Sequence, residues 1–251
     1  NSAMEKLSTG KRINYARDDA AGQAISIRLT AEIQGLAMAS RNASDGQAMI
    51  DTAEGALMET QTLLLRMREL AVQSSNGTLA TADRASLDKE FQSLEAEITR
   101  IADTSSWAGV NMLDGSLSSG ITFQAGTKAG AANLITVSIG EMSASAATVD
   151  LAAQNVGTFT HAQAAITKID SALSGVSEVR GELGGISNRL NSTIANMDQV
   201  RVNLSASQGR IEDADFATET GNLAKSQILQ QAATAMIAQA NASKNSVLTL
   251  I

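Results

Sequence analysis

Between Ala152 and Ile211 the sequence carries an apolar residue at every seventh position: Ala162, Ile169, Val176, Leu183, Leu190, Met197, Leu204 and Ile211. A companion column is apolar only in part: Phe159, Ile166, Leu173, Arg180, Ser187, Ile194 and Arg201. Columns with this period are the a and d positions of a coiled coil, so the stretch predicts one long helix packed on others. At 1.5 Å per residue, ~50 residues make about 75 Å of helix. Gly181, Gly184 and Gly185 lie inside it, each costing roughly 1 kcal/mol against Ala. Close approach of a neighbouring helix is the favoured reason for them, over a bend.

A second heptad region runs from about Ser40 to Ser75. Its columns are Ala43, Ile50, Leu57, Leu64, Ala71 and Met49, Ala56, Leu63, Leu70. Adjacent columns make a broad stripe, suited to more than one neighbour. Ser74-Ser75-Asn76-Gly77 ends it, with Gly77 expected as the C-cap glycine. A third helix is predicted from Thr81 or Asp83 to about Asp103, with Leu87, Phe91, Leu94, Ile98 and Ile101 on one face. From Trp107 to Asp150 the helical period is lost among glycines. Ile121, Phe123, Ala125 and Ile135, Val137, Ile139 alternate with polar residues, which predicts two short strands in a hairpin, the chain's sole β signal. From Ala214 onward the pattern is helical again, with Leu223, Ile228, Leu229, Ala232, Met236, Ile237, Ala240 and Val247 at spacings of three and four. Few charges follow Glu219 in that segment, so it suits burial among other helices better than bulk water. The expected fold is mainly α, an elongated antiparallel bundle of long, coiled-coil-like helices with a small β-hairpin region. Its terminal helices are brought together.

Composition supports helices and excludes several chemistries. The 251 residues contain no Pro, where ~5% usage predicts about a dozen. Four Phe, one Tyr and one Trp suit long packed helices better than a globular core. No Cys and one His remove disulfides, thiolate sites and any motif needing two histidines. A net charge of −7 argues against nucleic acid. No apolar run is long enough to span a membrane. The chain begins at Asn1 without a signal peptide, and a native N-terminal segment is expected to be missing.

Local motifs then become specific. Lys11-Arg12-Ile13-Asn14 precedes Asp18-Asp19-Ala20-Ala21-Gly22-Gln23-Ala24, and Ser40-Arg41-Asn42-Ala43-Ser44-Asp45-Gly46 and Arg68-Glu69-Leu70-Ala71-Val72-Gln73-Ser74 follow. Toward the other end come Asn203-Leu204-Ser205-Ala206-Ser207, Arg210-Ile211-Glu212-Asp213-Ala214-Asp215-Phe216-Ala217 and Gln227-Ile228-Leu229-Gln230-Gln231-Ala232. In this order, over nearly the whole chain, these blocks resemble those of bacterial flagellins.

The resemblance implies a structural subunit of the flagellar filament, self-assembling for motility at the cell surface, outside the cell. It implies residues 1–40 as the truncated inner-core and connecting segment, and 41–106 as N-terminal rod helices. Residues 107–150 then form a β-hairpin region in place of large variable domains, 151–210 the C-terminal rod helix and 211–251 the C-terminal inner-core helix. A further amphipathic helix ahead of the position of Asn1 belongs to the family pattern. This chain is expected to lack it, leaving residues 214–251 in need of contacts from neighbouring molecules. Implied partners are sibling subunits, the flagellar type III export apparatus and a chaperone, the filament cap and hook-associated proteins. No cofactor, metal or catalytic residue is implied.

Seam positions are Leu57, Leu64, Leu87, Phe91, Leu94, Ile98, Ile169, Val176, Leu183, Leu190, Met197 and Leu204. Inner-core positions are Leu223, Ile228, Leu229, Met236 and Ile237. Arg66, Leu70 and Glu90 match family positions for subunit packing and recognition by a Toll-like receptor; a core Leu flanked by surface charges is the plainer reading. Asp18 and Asp19 read as turn and helix-cap residues rather than an acid–base pair, and His161 as decoration at a helix start. The polar β segment is expected at an exposed end. Other classes are an adhesin or polysaccharide-binding homologue, a hook–filament junction protein, and, from periodicity alone, a cytoplasmic signalling coiled coil. No enzyme site is offered.

Overall fold

The computed structural model describes residues 2–248, with side chains for residues 2–241. Val247, expected on the last apolar face, lies outside the described side chains. The elements are α1 (Ser2–Thr9), α2 (Ala20–Ser74), α3 (Thr81–Thr104), β1 (Ser106–Trp107), β2 (Val110–Asn111), β3 (Ile121–Gln124), β4 (Leu134–Val137), α4 (Phe159–Glu212) and α5 (Phe216–Leu248). They fall into two compact units, residues 35–199 and the remainder at both ends of the chain.

Within residues 35–199, α2 and α4 run antiparallel. Arg68 Nε meets Asp170 at 2.7 Å, Arg180 Nη2 meets Glu54 at 2.6 Å, Gln47 Nε2 donates to Ser187 Oγ at 2.7 Å and Ser40 Oγ to Asp198 at 3.5 Å. Positions rise along one helix as they fall along the other. The buried residues of α4 are Ala162, Ile169, Val176, Leu183, Leu190 and Met197, with Ala165 and Ala172 beside them. The seven-residue column is thus the buried edge of the helix. Leu204, in the other unit, is half-buried. On α2 the facing core includes Met49, Ile50, Leu57, Leu64, Met67 and Leu70, all buried. α3 contributes Phe91, Ile98 and Ala102, while Leu87 and Leu94 are half-buried at its edge.

The hairpin β3–β4 pairs Ile121 with Val137 and Phe123 with Ile135. The Phe123 ring lies so close to Gly46 of α2 that a Cβ there would sit 3.1 Å from it, so glycine is what admits the hairpin.

Four expectations change. Gly181, Gly184 and Gly185 face open space, with no neighbour against them in this chain. Gly77 has no left-handed backbone. The end of α2 is capped instead by Arg84, which donates to the carbonyls of Ser74 (2.9 Å) and Asn76 (2.8 Å). A second antiparallel pair, β1–β2, precedes the hairpin. And the segment after the hairpin is core: Ile139, Met142, Ala144, Ala146, Val149, Leu151 and Val156 are buried. It is pinned by Gln92 to Gln154 O and by Asp88 to Val156 N. Its apolar residues are too unevenly spaced to register as a period, which is why composition marked it as a solvated end.

Leu64→Asp places a carboxylate among fully buried neighbours, at a cost on the order of 5 kcal/mol, comparable with a domain's whole stability. The variant is expected to lose its cooperative melt by circular dichroism. A melting curve superimposable on the parent's would overturn this packing.

Candidate functional site

Two of the motifs singled out in the sequence meet at the junction of the terminal segments. Lys11 forms an antiparallel bridge with Asp213. Ala214 N donates to Gly10 O at 2.9 Å, and the Arg12 guanidinium donates to Ile211 O at 2.8 Å. Ile13 is buried beneath. Asp18 Oδ2 accepts the amides of Asn14 (3.1 Å) and Tyr15 (3.0 Å), and these hold its carboxyl below the usual range. Asp19 Oδ1 accepts Gly22 N–H at 2.8 Å and caps α2. The adjacent aspartates therefore perform separate structural tasks. Asp215 does the same for α5, taking Ala217 N–H at 2.9 Å and the Thr218 hydroxyl at 2.9 Å.

Glu212 is the polar hub of this junction. It accepts the Ser26 hydroxyl and pairs with Lys11 Nζ at 3.0 Å. Gln208 reaches Thr30 at 2.8 Å beside it. The Ser26 hydrogen bond, then Lys11, hold the Glu212 carboxyl below its ordinary range despite partial burial.

Beyond the junction, α5 has little apolar company. α1 packs on it, with Lys6 paired to Glu219 at 3.3 Å. Of the inner-core positions, Leu223 is half-buried, whereas Ile228 is 64% exposed, Leu229 58%, Met236 70% and Ile237 61%. Every residue from 224 to 241 is exposed. These four side chains leave α5 with a large exposed apolar surface among the described residues.

On residues 35–199 the surface differs. Arg66 forms a fork with Glu90 (2.8 and 3.0 Å) and a further bond to Glu69 (2.9 Å), all exposed. Leu70, four residues on, is fully buried. The spacing that groups Arg66 with Leu70 thus overstates their kinship: the charge points outward, and Leu70 is unavailable as a direct contact. An exposed apolar column that the sequence reading passed over, Met58, Leu65 and Val72, runs beside them at intervals of seven. The existing heptad columns masked it, because α2 is apolar on several faces at once.

The comparisons agree with this architecture. The family model for the bacterial flagellin N-terminal helical region matches residues 1–118, and that for the C-terminal helical region matches 166–251. The chain belongs to the bacterial flagellin family. A flagellin of Halalkalibacterium halodurans is 47% identical over 99% of this chain and 90% of its own length. Flagellin FlaB1 of Treponema pallidum is 38% identical over 99% of this chain and 91% of its own. Among solved structures, Bacillus cereus flagellin superposes with a TM-score of 0.55 at 30% identity, covering 62% of this chain and 88% of that one. As a flagellin the chain is a structural subunit of the bacterial flagellar filament, a motility structure external to the cell. No helix among the described residues is long and apolar enough to cross a membrane.

Because Glu212 is more acidic folded than unfolded, its contribution to stability is full above its ordinary value of 4.5 and is lost as pH falls through the lowered value. Glu212→Gln removes that term. The stability difference between parent and variant, from denaturant titrations in a pH series, should be large at neutral pH and shrink on acidification. A difference constant with pH contradicts the linkage.

Proposed function

We propose that this flagellin polymerises through the apolar face of α5, with residues 1–40 and 211–251 in the filament's inner core and the rod formed by 41–106 and 151–210. Segment 107–150 stands in for larger outer domains. The exposure of Ile228, Leu229, Met236 and Ile237 carries this reading. Packing within the assembled filament supplies cover that the described residues do not, and the Met58, Leu65, Val72 column offers a second contact. Export by the flagellar type III apparatus with a chaperone, and contact with cap and hook-associated proteins, complete the set of partners.

The test is polymerisation onto flagellin seeds, read by sedimentation and electron microscopy. The parent chain is expected to add to seeds, and Ile228→Asp/Leu229→Asp to stay in the supernatant with unchanged melting of the buried α2–α4 seam. Equal incorporation of the variant would remove α5 from the interface.

Arg66 and Glu90 are proposed as the exposed contact read by a Toll-like receptor, with Leu70 acting from beneath as support. Arg66→Ala breaks the fork without touching the core. Reporter cells should lose most of their response while circular dichroism is unchanged; an undiminished response excludes Arg66.

A further inference from the structure

The turn between α2 and α3 holds chemistry that the assembly function does not use. Three places in the sequence set an Asx residue before glycine: Asp45-Gly46, Asn76-Gly77 and Asp114-Gly115. Such pairs are prone to one intramolecular reaction, in which the glycine nitrogen attacks the preceding side-chain carbonyl. The structure separates the three. Gly46 lies inside α2, where its N–H belongs to the helical ladder, and Phe123 covers it. Asp114 accepts Ser116 N–H at 2.9 Å, and Ser116 keeps the carboxyl acidic, so it stays an ionised, poor electrophile.

Asn76 has neither protection. It is exposed, two residues past the end of α2. Its Oδ1 accepts Thr78 N–H at 3.2 Å, which folds the side-chain amide back over the Gly77 peptide whose nitrogen would attack it. Among the described residues, the Gly77 N–H has no acceptor. A Cβ at Gly77 would meet nothing within 4 Å, so no side chain shields the site.

We propose that Asn76 is a site of spontaneous, self-catalysed deamidation. The Gly77 nitrogen gives up its proton to water and bonds to Asn76 Cγ. The Cγ–NH2 bond breaks and ammonia leaves with that proton, closing a cyclic imide. Water then adds to one of the two imide carbonyls. Opening at the former side-chain carbonyl yields an ordinary aspartate, and opening at the backbone carbonyl yields isoaspartate. No redox partner is required. Arg84 donates to that backbone carbonyl at 2.8 Å and makes it the better electrophile, so isoaspartate is the favoured product. The reaction needs no enzyme and runs as well outside the cell as inside, and its product alters the carbonyl on which the Arg84 cap depends.

The experiment is a time course of the intact purified chain in warm, mildly alkaline buffer. Peptide mapping by mass spectrometry reads –NH2 to –OH exchange at each asparagine, and isoaspartyl methyltransferase labelling reads the product. Asn76 is expected to convert well ahead of Asn14 and Asn155, loop asparagines followed by Tyr15 and Val156. Gly77→Ala should keep the parent's circular dichroism, since its Cβ enters open space, and slow conversion by an order of magnitude. Conversion of Asn76 no faster than Asn14 and Asn155 in the parent, or an unchanged rate in Gly77→Ala, overturns the proposal. Neither outcome depends on whether the chain polymerises.

Discussion

A column of single apolar residues, one every two turns of α4, is what the α2–α4 pairing rests on. A seam so narrow buries modest apolar area per turn, and its seven-residue period creates an ambiguity. Sliding α4 by seven places Leu183 where Leu190 was and leaves the apolar match nearly intact. The polar residues that interrupt the companion column remove that freedom. Arg180 reaches Glu54 with two bonds and also donates to Gln61, while Ser187 accepts Gln47. A slip of one heptad separates each of these pairs. Arg180 and Glu54 stay part-exposed, so the ion pair keeps some hydration and escapes the heavy desolvation of a fully buried one. The breaks in the pattern supply register, and the pattern supplies burial.

Small residues set the other limit. With Ala at positions 162, 165 and 172 on the buried edge of α4, there is room for the irregular segment after the hairpin to enter the core. At Gly175 a Cβ would lie 2.7 Å from the Thr148 methyl, so here glycine admits that segment. Close approach was therefore the right physical idea placed at the wrong glycines: Gly181, Gly184 and Gly185 lie beyond the segment's reach.

What could be read from the sequence follows from what periodicity reports. A period measures a face that is buried along its whole length, so the α4 column, the α2 stripe, α3 and the β3–β4 alternation were visible. It is blind to contacts made once. The Arg84 cap joins residues eight and ten apart through a side chain, the pairing of Lys11 with Asp213 spans the chain, and β1–β2 is two residues deep. Leu70 lies on a face that heptad counting assigns to more than one neighbour, and only packing decides which. The motif blocks carried the junction without explaining it. Their reason lies in geometry: residues 10–14 and 211–215 exchange backbone hydrogen bonds, and Glu212 ties both to α2 through Ser26.

The two units differ in how much apolar surface their described residues bury. Residues 35–199 hold nearly all of the buried hydrophobic side chains. In the terminal unit, among the described side chains, Ile13, Gly22 and Ser26 are the buried positions. Hydrogen bonds at a solvent-facing junction contribute about 1 kcal/mol each after exchange with water, too little to offset the ordering of helices as long as α5. The missing term is the burial of the α5 face, which the proposed filament contacts would supply. If α5 is the polymer contact proposed above, stability of the terminal unit and addition to a polymer are linked by mass action. The larger unit packs its core within the chain, so on the proposed reading the concentration-dependent step falls on the helix whose apolar face is left open among the described residues.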